Sequence, residues 1–139
     1  MSDFVIDASA ALACVLRSQS SPASVAFVEA RDHDRFLAPH IFGWEVANVL
    51  VALHRRRNLS SGAYDEALTK LDSLEIALQP ALPEPAMREL GLIARRIGLS
   101  LFDAAYMILA MEHRCTLVSR DERLLHVATA ENIECLDLR

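Results

Sequence analysis

Three acidic residues stand where apolar side chains are expected. Glu45 lies on or beside the apolar stripe of a predicted helix. Asp103 is the only charge in the apolar stretch 99–111, and Asp7 directly follows the apolar run 4–6. An ionised carboxylate taken out of water is costly unless it is paired or bound to a metal ion. Because neither helical stretch offers a Lys or Arg on the same face, a shared cation is the economical explanation.

The residue types favour a hard divalent cation over zinc. Carboxylate and water oxygens suit Mg²⁺ or Mn²⁺, whereas the sulfur and nitrogen ligands of a zinc site are not arranged in the chain. The histidines lack zinc-ligand spacing, and we interpret them as surface or partly packed residues. They are His33, His40, His54, His113 and His126.

Each acid also has a simpler structural explanation. Asp7 and Asp121 could cap the helices that follow them, and Asp103 could be the third residue of a capping box. Glu45 could lie at the edge of the apolar face of an amphipathic helix, or it could pair with His40 or an arginine. Taken singly, capping is the favoured explanation for Asp103 and Asp121, whereas a functional role is favoured for Asp7 and Glu45. When the four acids of this small domain are considered together, capping is a weaker explanation.

Composition limits the class of protein. The chain has 139 residues, which suits one domain over 1–139 with one sizeable core. It is 53% hydrophobic and 24% charged, so we expect an ordered globular fold. The net charge of −5 argues against a broadly basic nucleic-acid coat but permits a local basic patch.

The cysteines and the N-terminus indicate a soluble cytoplasmic protein. Cys14, Cys115 and Cys135 form no CxxC pair, and we expect reduced core residues. The stretch 1–16 resembles a signal peptide, but it lacks a basic start and contains acidic residues. No uncharged apolar run approaches the roughly 20 residues that span a bilayer.

Short apolar strands alternate with helices along the chain. Strands are predicted at 4–6, 35–38, 75–78, 115–118 and 133–136. Three helices are predicted at 8–17, 22–31 and 40–57. A fourth begins at a Ser60 or Ser61 cap and ends at 74, and a fifth begins at Pro85 and is stopped by Gly98. Two more follow a cap at Ser100 and a cap formed by Ser119 with Glu122. This alternation predicts parallel strand pairing in a three-layer α/β/α sandwich. Ligands of such sheets bind beyond the carboxyl ends of the strands, where Asp7, Ser119 and Asp121 are expected.

Four motifs in order resemble a known family. They are 5–9 (VIDAS), 45–48 (EVAN), 101–106 (LFDAAY) and 117–121 (LVSRD). Their combination resembles the PIN domains, and most of all the VapC toxins of bacterial toxin–antitoxin modules. The resemblance covers essentially the whole chain.

The resemblance implies a parallel five-stranded sandwich with metal-dependent endoribonuclease activity. The four acids of the family pattern match Asp7, Glu45, Asp103 and Asp121. We expect the first three to be the main ligands of Mg²⁺, or of Mn²⁺, directly or through water. Asp121 is expected to complete the cluster. The ions would activate water and neutralise charge on the attacked phosphate of an RNA substrate.

Three polar residues match positions that support the acids in the family. Ser9 follows the first acid by two residues, Asn48 lies one turn after Glu45, and Ser119 stands where the family often has Thr. They are expected to hold the acids or to position the substrate. Helix capping is an equally good explanation of Ser119 on the residue pattern alone.

Other features leave alternatives open. Arg55, Arg56 and Arg57 could contact the RNA backbone, although cations are favourable at any helix C-terminus. The resemblance also implies a homodimer and an antitoxin that covers the site.

Two other protein classes also place an acid after the first strand. A haloacid-dehalogenase-like phosphatase needs a second Asp at the position that Ser9 occupies, and a receiver domain needs a late lysine, whereas the only lysine of the chain is Lys70. A non-catalytic PIN-like RNA- or protein-binding module remains the alternative function.

Overall fold

The computed structural model describes residues 2–31 and 34–139, and His33 lies outside them. The described part contains five strands and seven α-helices. The strands are β1 (Asp3–Ile6), β2 (Arg35–Ala38), β3 (Ala77–Leu78), β4 (Thr116–Ser119) and β5 (Cys135–Asp137). The helices are α1 (Ala8–Val15), α2 (Pro22–Glu29), α3 (Phe42–Arg55), α4 (Ser61–Ser73), α5 (Glu84–Ile97), α6 (Leu101–His113) and α7 (Glu122–Ala130), with a 3₁₀ turn at Arg17–Gln19.

The strands form one parallel sheet in the order β3-β2-β1-β4-β5. Val5 at the centre pairs with Leu37 of β2 on one side and Leu117 of β4 on the other. The chain moves outward from β1 to β3, then returns to β4 and β5. Because parallel crossovers are right-handed, this reversal puts α1–α4 on one face and α5–α7 on the other. Accordingly, α1 packs against α2, α3 and α4, and α6 packs against α5 and α7. The predicted parallel α/β sandwich is confirmed.

The core lies on both faces of the two central strands. Val5 and Leu117 are completely buried, as expected for strands covered by helices on both faces. Ala10 and Ala11 are also completely buried, so α1 presents small side chains where it approaches the sheet. On the opposite face, Tyr106 of α6 is 1% exposed. The helices α1 and α6 are therefore fixed by packing, and so are the acids at their ends.

Some predicted boundaries are wrong for local reasons. The strand predicted at 75–78 is only Ala77–Leu78, because Glu75 adopts a left-handed conformation with φ of 51°. The first helix ends at Val15 rather than Arg17, since the next residue is extended. The predicted stop of α5 is correct, with Gly98 in the left-handed region at φ of 76°.

The remaining expectations concern cysteines, histidines and membranes. All three cysteines are free thiols, as predicted, and burial raises the pKa of Cys14 to about 11. The four described histidines are exposed. Across residues 2–31 and 34–139, the structure has no helix with the length and apolar character needed to cross a membrane.

Candidate active site

Four helix N-termini meet at the carboxyl edge of the sheet, and each carries one acid. The helices α1, α3 and α7 follow β1, β2 and β4, so they begin at that edge. The helix α6 leads through a short turn into β4 and therefore begins at the same edge. Asp7 and Asp121 are N-caps, whereas Glu45 and Asp103 lie in first turns. The helix dipoles favour negative charge at these positions.

Asp7 is the buried centre of the site, with 5% of its surface exposed. Its Oδ1 accepts hydrogen bonds from the Ser9 hydroxyl at 2.7 Å and the Ala10 backbone N–H at 2.8 Å. Its Oδ2 accepts a hydrogen bond from the Ser119 hydroxyl. Each carboxylate oxygen can accept two hydrogen bonds, so Oδ2 keeps one free acceptor position for a cation.

The two serines connect Asp7 to the loop after β4. The Ser9 hydroxyl accepts a hydrogen bond from the Arg120 backbone N–H at 3.0 Å, and Ser119 accepts one from the Asp121 N–H at 2.9 Å. Each hydroxyl donates its single proton to Asp7 and accepts from the backbone. The prediction that Ser119 caps α7 is therefore wrong. Asp121 is the cap, since its Oδ1 accepts from the Leu124 N–H at 2.8 Å.

Glu45 is held by a residue that was not predicted as part of the site. The Tyr106 hydroxyl donates a hydrogen bond to Glu45 Oε1 at 2.7 Å, which joins α6 to α3. Burial, and then the neighbouring Glu45 carboxylate, raise the pKa of Tyr106, so the hydroxyl keeps its proton and remains a donor. The only sequence signal was spacing, because Tyr106 follows Asp103 by three residues on one helix face.

The acids destabilise one another's charged forms. Burial is the largest cause that raises the pKa of Asp7, Glu45 and Asp103. Repulsion adds to it, because Asp7 and Asp103 raise the pKa of Glu45, and Asp121 raises those of Asp7 and Asp103. Within the described ranges, none of the four acids forms an ion pair. The site therefore concentrates negative charge without a protein cation.

The donor set fits a hydrated magnesium ion better than a closed protein cage. Among residues 2–31 and 34–139, no three His, Cys, Asp or Glu side chains converge into a ready-made metal site. Mg²⁺ keeps several waters and commonly takes one or two carboxylates together with substrate phosphates. Asp7 has a free acceptor position, and Asp121 is exposed. Such an ion requires fewer direct protein ligands than the four acids.

The structure does not bring every predicted site residue to the acids. Asn48 is exposed on α3 and has no side-chain hydrogen bond within the described ranges. Arg55 lies ten residues beyond Glu45 on that helix, which corresponds to about 15 Å. Arg56 and Arg57 follow it and are exposed. Within the described ranges, none of these four residues forms a side-chain hydrogen bond with the acid cluster, which consists of Asp7, Glu45, Asp103 and Asp121.

The Tyr106→Phe variant is expected to lower the free energy of unfolding by about 1 kcal/mol, because it removes a buried donor from a carboxylate. Loss of that hydrogen bond should also raise the pKa of Glu45 further. Urea unfolding curves measure the first effect. Tyr64→Phe is the matched control, since this partly buried tyrosine donates no side-chain hydrogen bond within the described ranges. Equal stability losses in both variants would contradict a specific role of the Glu45 contact.

Comparison with known proteins identifies the family. The family described as PIN domain matches residues 4–130. The chain belongs to the PIN-domain family. This PIN domain is 31% identical over 131 residues to the VapC ribonuclease Mb0985 of Mycobacterium bovis, covering 91% of this chain and 92% of that protein. It has the same identity and coverage with Ribonuclease VapC9 of Mycobacterium tuberculosis. The predicted resemblance to VapC proteins is confirmed.

Solved structures show the same fold. PAE2754 from Pyrobaculum aerophilum superposes with a TM-score of 0.70 at 20% identity, covering 99% of this chain and 90% of that one. FitAcB from Neisseria gonorrhoeae gives 0.66 at 17% identity, with 96% of both chains covered. VapBC2 from Rickettsia felis, bound to a DNA fragment from its promoter, gives 0.58 at 11% identity, with 99% of both chains covered. The PIN fold thus extends over nearly the full chain.

Proposed function

We propose that this PIN domain is a Mg²⁺-dependent endoribonuclease that acts as the toxin of a toxin–antitoxin pair. The observation that carries the proposal is the acid cluster. Its four carboxylates lie at the same sheet edge and form no ion pair in the described ranges, and burial, with repulsion among them, raises the pKa of Asp7, Glu45 and Asp103. The VapC ribonucleases that it resembles supply the reaction class. The alternative, a PIN-like module that only binds RNA or protein, does not require mutually repelling acids.

The residues of the cluster have different roles in this proposal. Asp7 and Glu45 would hold the ion, because both are oriented by hydrogen bonds on one side and have a free oxygen or acceptor position on the other. Asp103 would bind it directly or through water. Asp121 is exposed, and its Oδ1 caps α7, so it would act at the rim through Oδ2 or a bridging water.

The ion would supply Lewis-acid stabilisation of the phosphate and would lower the pKa of an attacking water. The protein would contribute a fixed arrangement of carboxylates. Ser9 and Ser119 prevent rotation of the Asp7 carboxylate, and Tyr106 does the same for Glu45. Mn²⁺ could replace Mg²⁺, because it prefers the same oxygen ligands.

We also propose a cognate antitoxin and a homodimer as partners. The fold neighbours include a VapBC complex and FitAcB, which supports an antitoxin partner. In the metal-free protein, the acid cluster would attract an Arg or Lys side chain. An antitoxin that presents such a cation to the cluster would compete with the metal ion and block the site.

The test is incubation of the purified protein with structured cellular RNAs, in EDTA and with added Mg²⁺ or Mn²⁺. We expect no cleavage in EDTA and restored cleavage after addition of either ion, because the acids alone repel the phosphate. A DNA oligonucleotide serves as the control substrate. Full RNA cleavage in EDTA would exclude the metal mechanism, and RNA binding without cleavage under every condition would favour the binding module.

A further inference from the structure

The exposed face of α3 combines an aromatic residue, an amide and a cation. At about 100° per residue, Trp44, Asn48, Val51 and Arg55 project within about 60° of one another. The core residues of α3, such as Val46 and Leu50, project from the opposite side. Trp44 is 76% exposed, which is the largest exposed fraction of any large apolar side chain among the described residues. We name the residues Trp44, Asn48, Val51 and Arg55 the α3 face.

The α3 face begins at the acid cluster. Trp44 directly precedes Glu45 and lies in the same helical turn, at the carboxyl edge of the sheet. From Trp44 to Arg55 the helix rises by about 16 Å, a length of several stacked nucleotides at about 3.4 Å each. An RNA strand whose phosphate lies at the acids can therefore continue along this helix.

The charges of α3 differ from those of the rest of the chain. The protein carries 19 acidic and 14 basic residues, yet no Asp or Glu occurs between Glu45 and Asp65. Within the described ranges, the exposed Arg55 forms no ion pair. Its position on the α3 face sets it apart from Arg56, which is turned about 120° away from Trp44. A phosphate beside Arg55 would meet a cation without neighbouring acids on that helix.

We propose that the α3 face binds unpaired RNA next to the cleaved phosphate, with a base stacked on Trp44 and a phosphate held by Arg55. The inference rests on the proposed nuclease function. Exposed aromatic rings bind bases that are free to leave a helix, whereas the bases of an RNA duplex are already stacked on one another. Trp44 and Arg55 would thus make the contacts that favour an unpaired strand over a duplex.

The experiment uses Trp44 as its own reporter, because it is the only tryptophan of the chain. Cleavage-deficient Asp7→Asn protein in Mg²⁺ is titrated with a short unpaired RNA and with the same strand in a duplex. We expect the unpaired RNA to quench tryptophan fluorescence and the duplex to quench it little. In fluorescence anisotropy with labelled RNA, Trp44→Ala should weaken binding about 5- to 100-fold, whereas Trp44→Phe should largely preserve it.

Variants of Arg55 and of matched surface residues on α5 complete the experiment. Arg55→Ala should weaken binding and reduce the slope of log K against log salt by about one. Leu92→Ala and Arg96→Ala change an exposed leucine and an exposed last-turn arginine of α5, and both should leave affinity unchanged.

Three results would overturn the inference. They are wild-type affinity in Trp44→Ala, equal binding of duplex and unpaired RNA, or a change of oligomeric state in Trp44→Ala without a change in RNA affinity. The last result would make the α3 face a contact between copies of the chain. Cleavage by the wild-type protein in Mg²⁺ is measured in parallel. If it persists in any of these cases, only the inference fails, and if the wild type neither binds nor cleaves RNA, the proposed function fails as well.

Discussion

The Asp7→Asn variant is expected to fold normally and to lose RNA cleavage by about 1,000-fold or more. Loss of one carboxylate ligand removes several kcal/mol of charge stabilisation at the phosphate, and each 1.36 kcal/mol corresponds to about a tenfold rate change. The amide oxygen can still accept from Ser9 and Ala10, whereas the hydrogen bond with Ser119 must reverse, because the amide nitrogen can only donate to the Ser119 oxygen. The measurement is the rate of RNA cleavage in excess Mg²⁺.

The same strand provides the control for Asp7→Asn. Asp3 begins β1, lies at the opposite edge of the sheet and pairs with Arg35 at 2.5 Å on the surface. Asp3→Asn should therefore retain wild-type cleavage. In EDTA, Asp7→Asn should melt at or above the wild-type temperature, because burial raises the pKa of Asp7 and makes its charged form unfavourable. Substantial cleavage by Asp7→Asn would exclude Asp7 as an essential ligand.

The strands and the acids at their ends could be predicted because their signals are local. Asp7 follows an apolar strand directly, and Asp103 is the only charge in the apolar stretch 99–111, so both are visible in a short window of sequence. The parallel sheet followed from the alternation of strands and helices. All five strands were expected from the residue pattern, and the family resemblance implied the same number, although two of them have only two or three residues in the structure.

The hydrogen bonds of the site could not be predicted because they join residues far apart in the chain. Tyr106 and Glu45 are separated by 61 positions, and Ser119 and Asp7 by 112. The local pattern at Ser119 favours a helix cap, but its hydroxyl is directed to Asp7 once β4 pairs with β1. Tertiary packing decides between two uses of one hydroxyl, and a short sequence window does not contain that information.

The sign of the stability change caused by Asp103→Asn distinguishes a metal-binding role of Asp103 from simple helix capping. If its charge serves only the N-terminus of α6, Asp103→Asn should lose about 0.3–1 kcal/mol of stability. If it crowds against the other acids, its neutralisation should relieve repulsion in the metal-free protein. The raised pKa of Asp103, caused by burial and then by Asp121 and Asp7, favours the second result.

The raised pKa of Asp103 determines how its contribution to stability changes with pH. The contribution of Asp103 to stability is fully present below its ordinary pKa of 3.8 and is lost as the pH rises through the higher pKa of the folded state. In EDTA, ionisation of Asp103 above its raised pKa therefore lowers the stability of the wild type. At neutral pH in EDTA, we expect Asp103→Asn to melt at the wild-type temperature or a few degrees higher. The variant and the wild type should converge as the pH is lowered toward 3.8.

Added Mg²⁺ should reverse the order of the two proteins. An ion that binds only the folded state stabilises it by mass action, and the gain depends on its affinity. Wild type should gain more than Asp103→Asn, because the variant has lost one attraction for the cation. Thermal melts of both proteins in EDTA and in excess Mg²⁺ measure this difference. A variant that is destabilised in EDTA yet gains the full wild-type increment would reduce Asp103 to a helix cap, while a smaller increment would place it beside the ion.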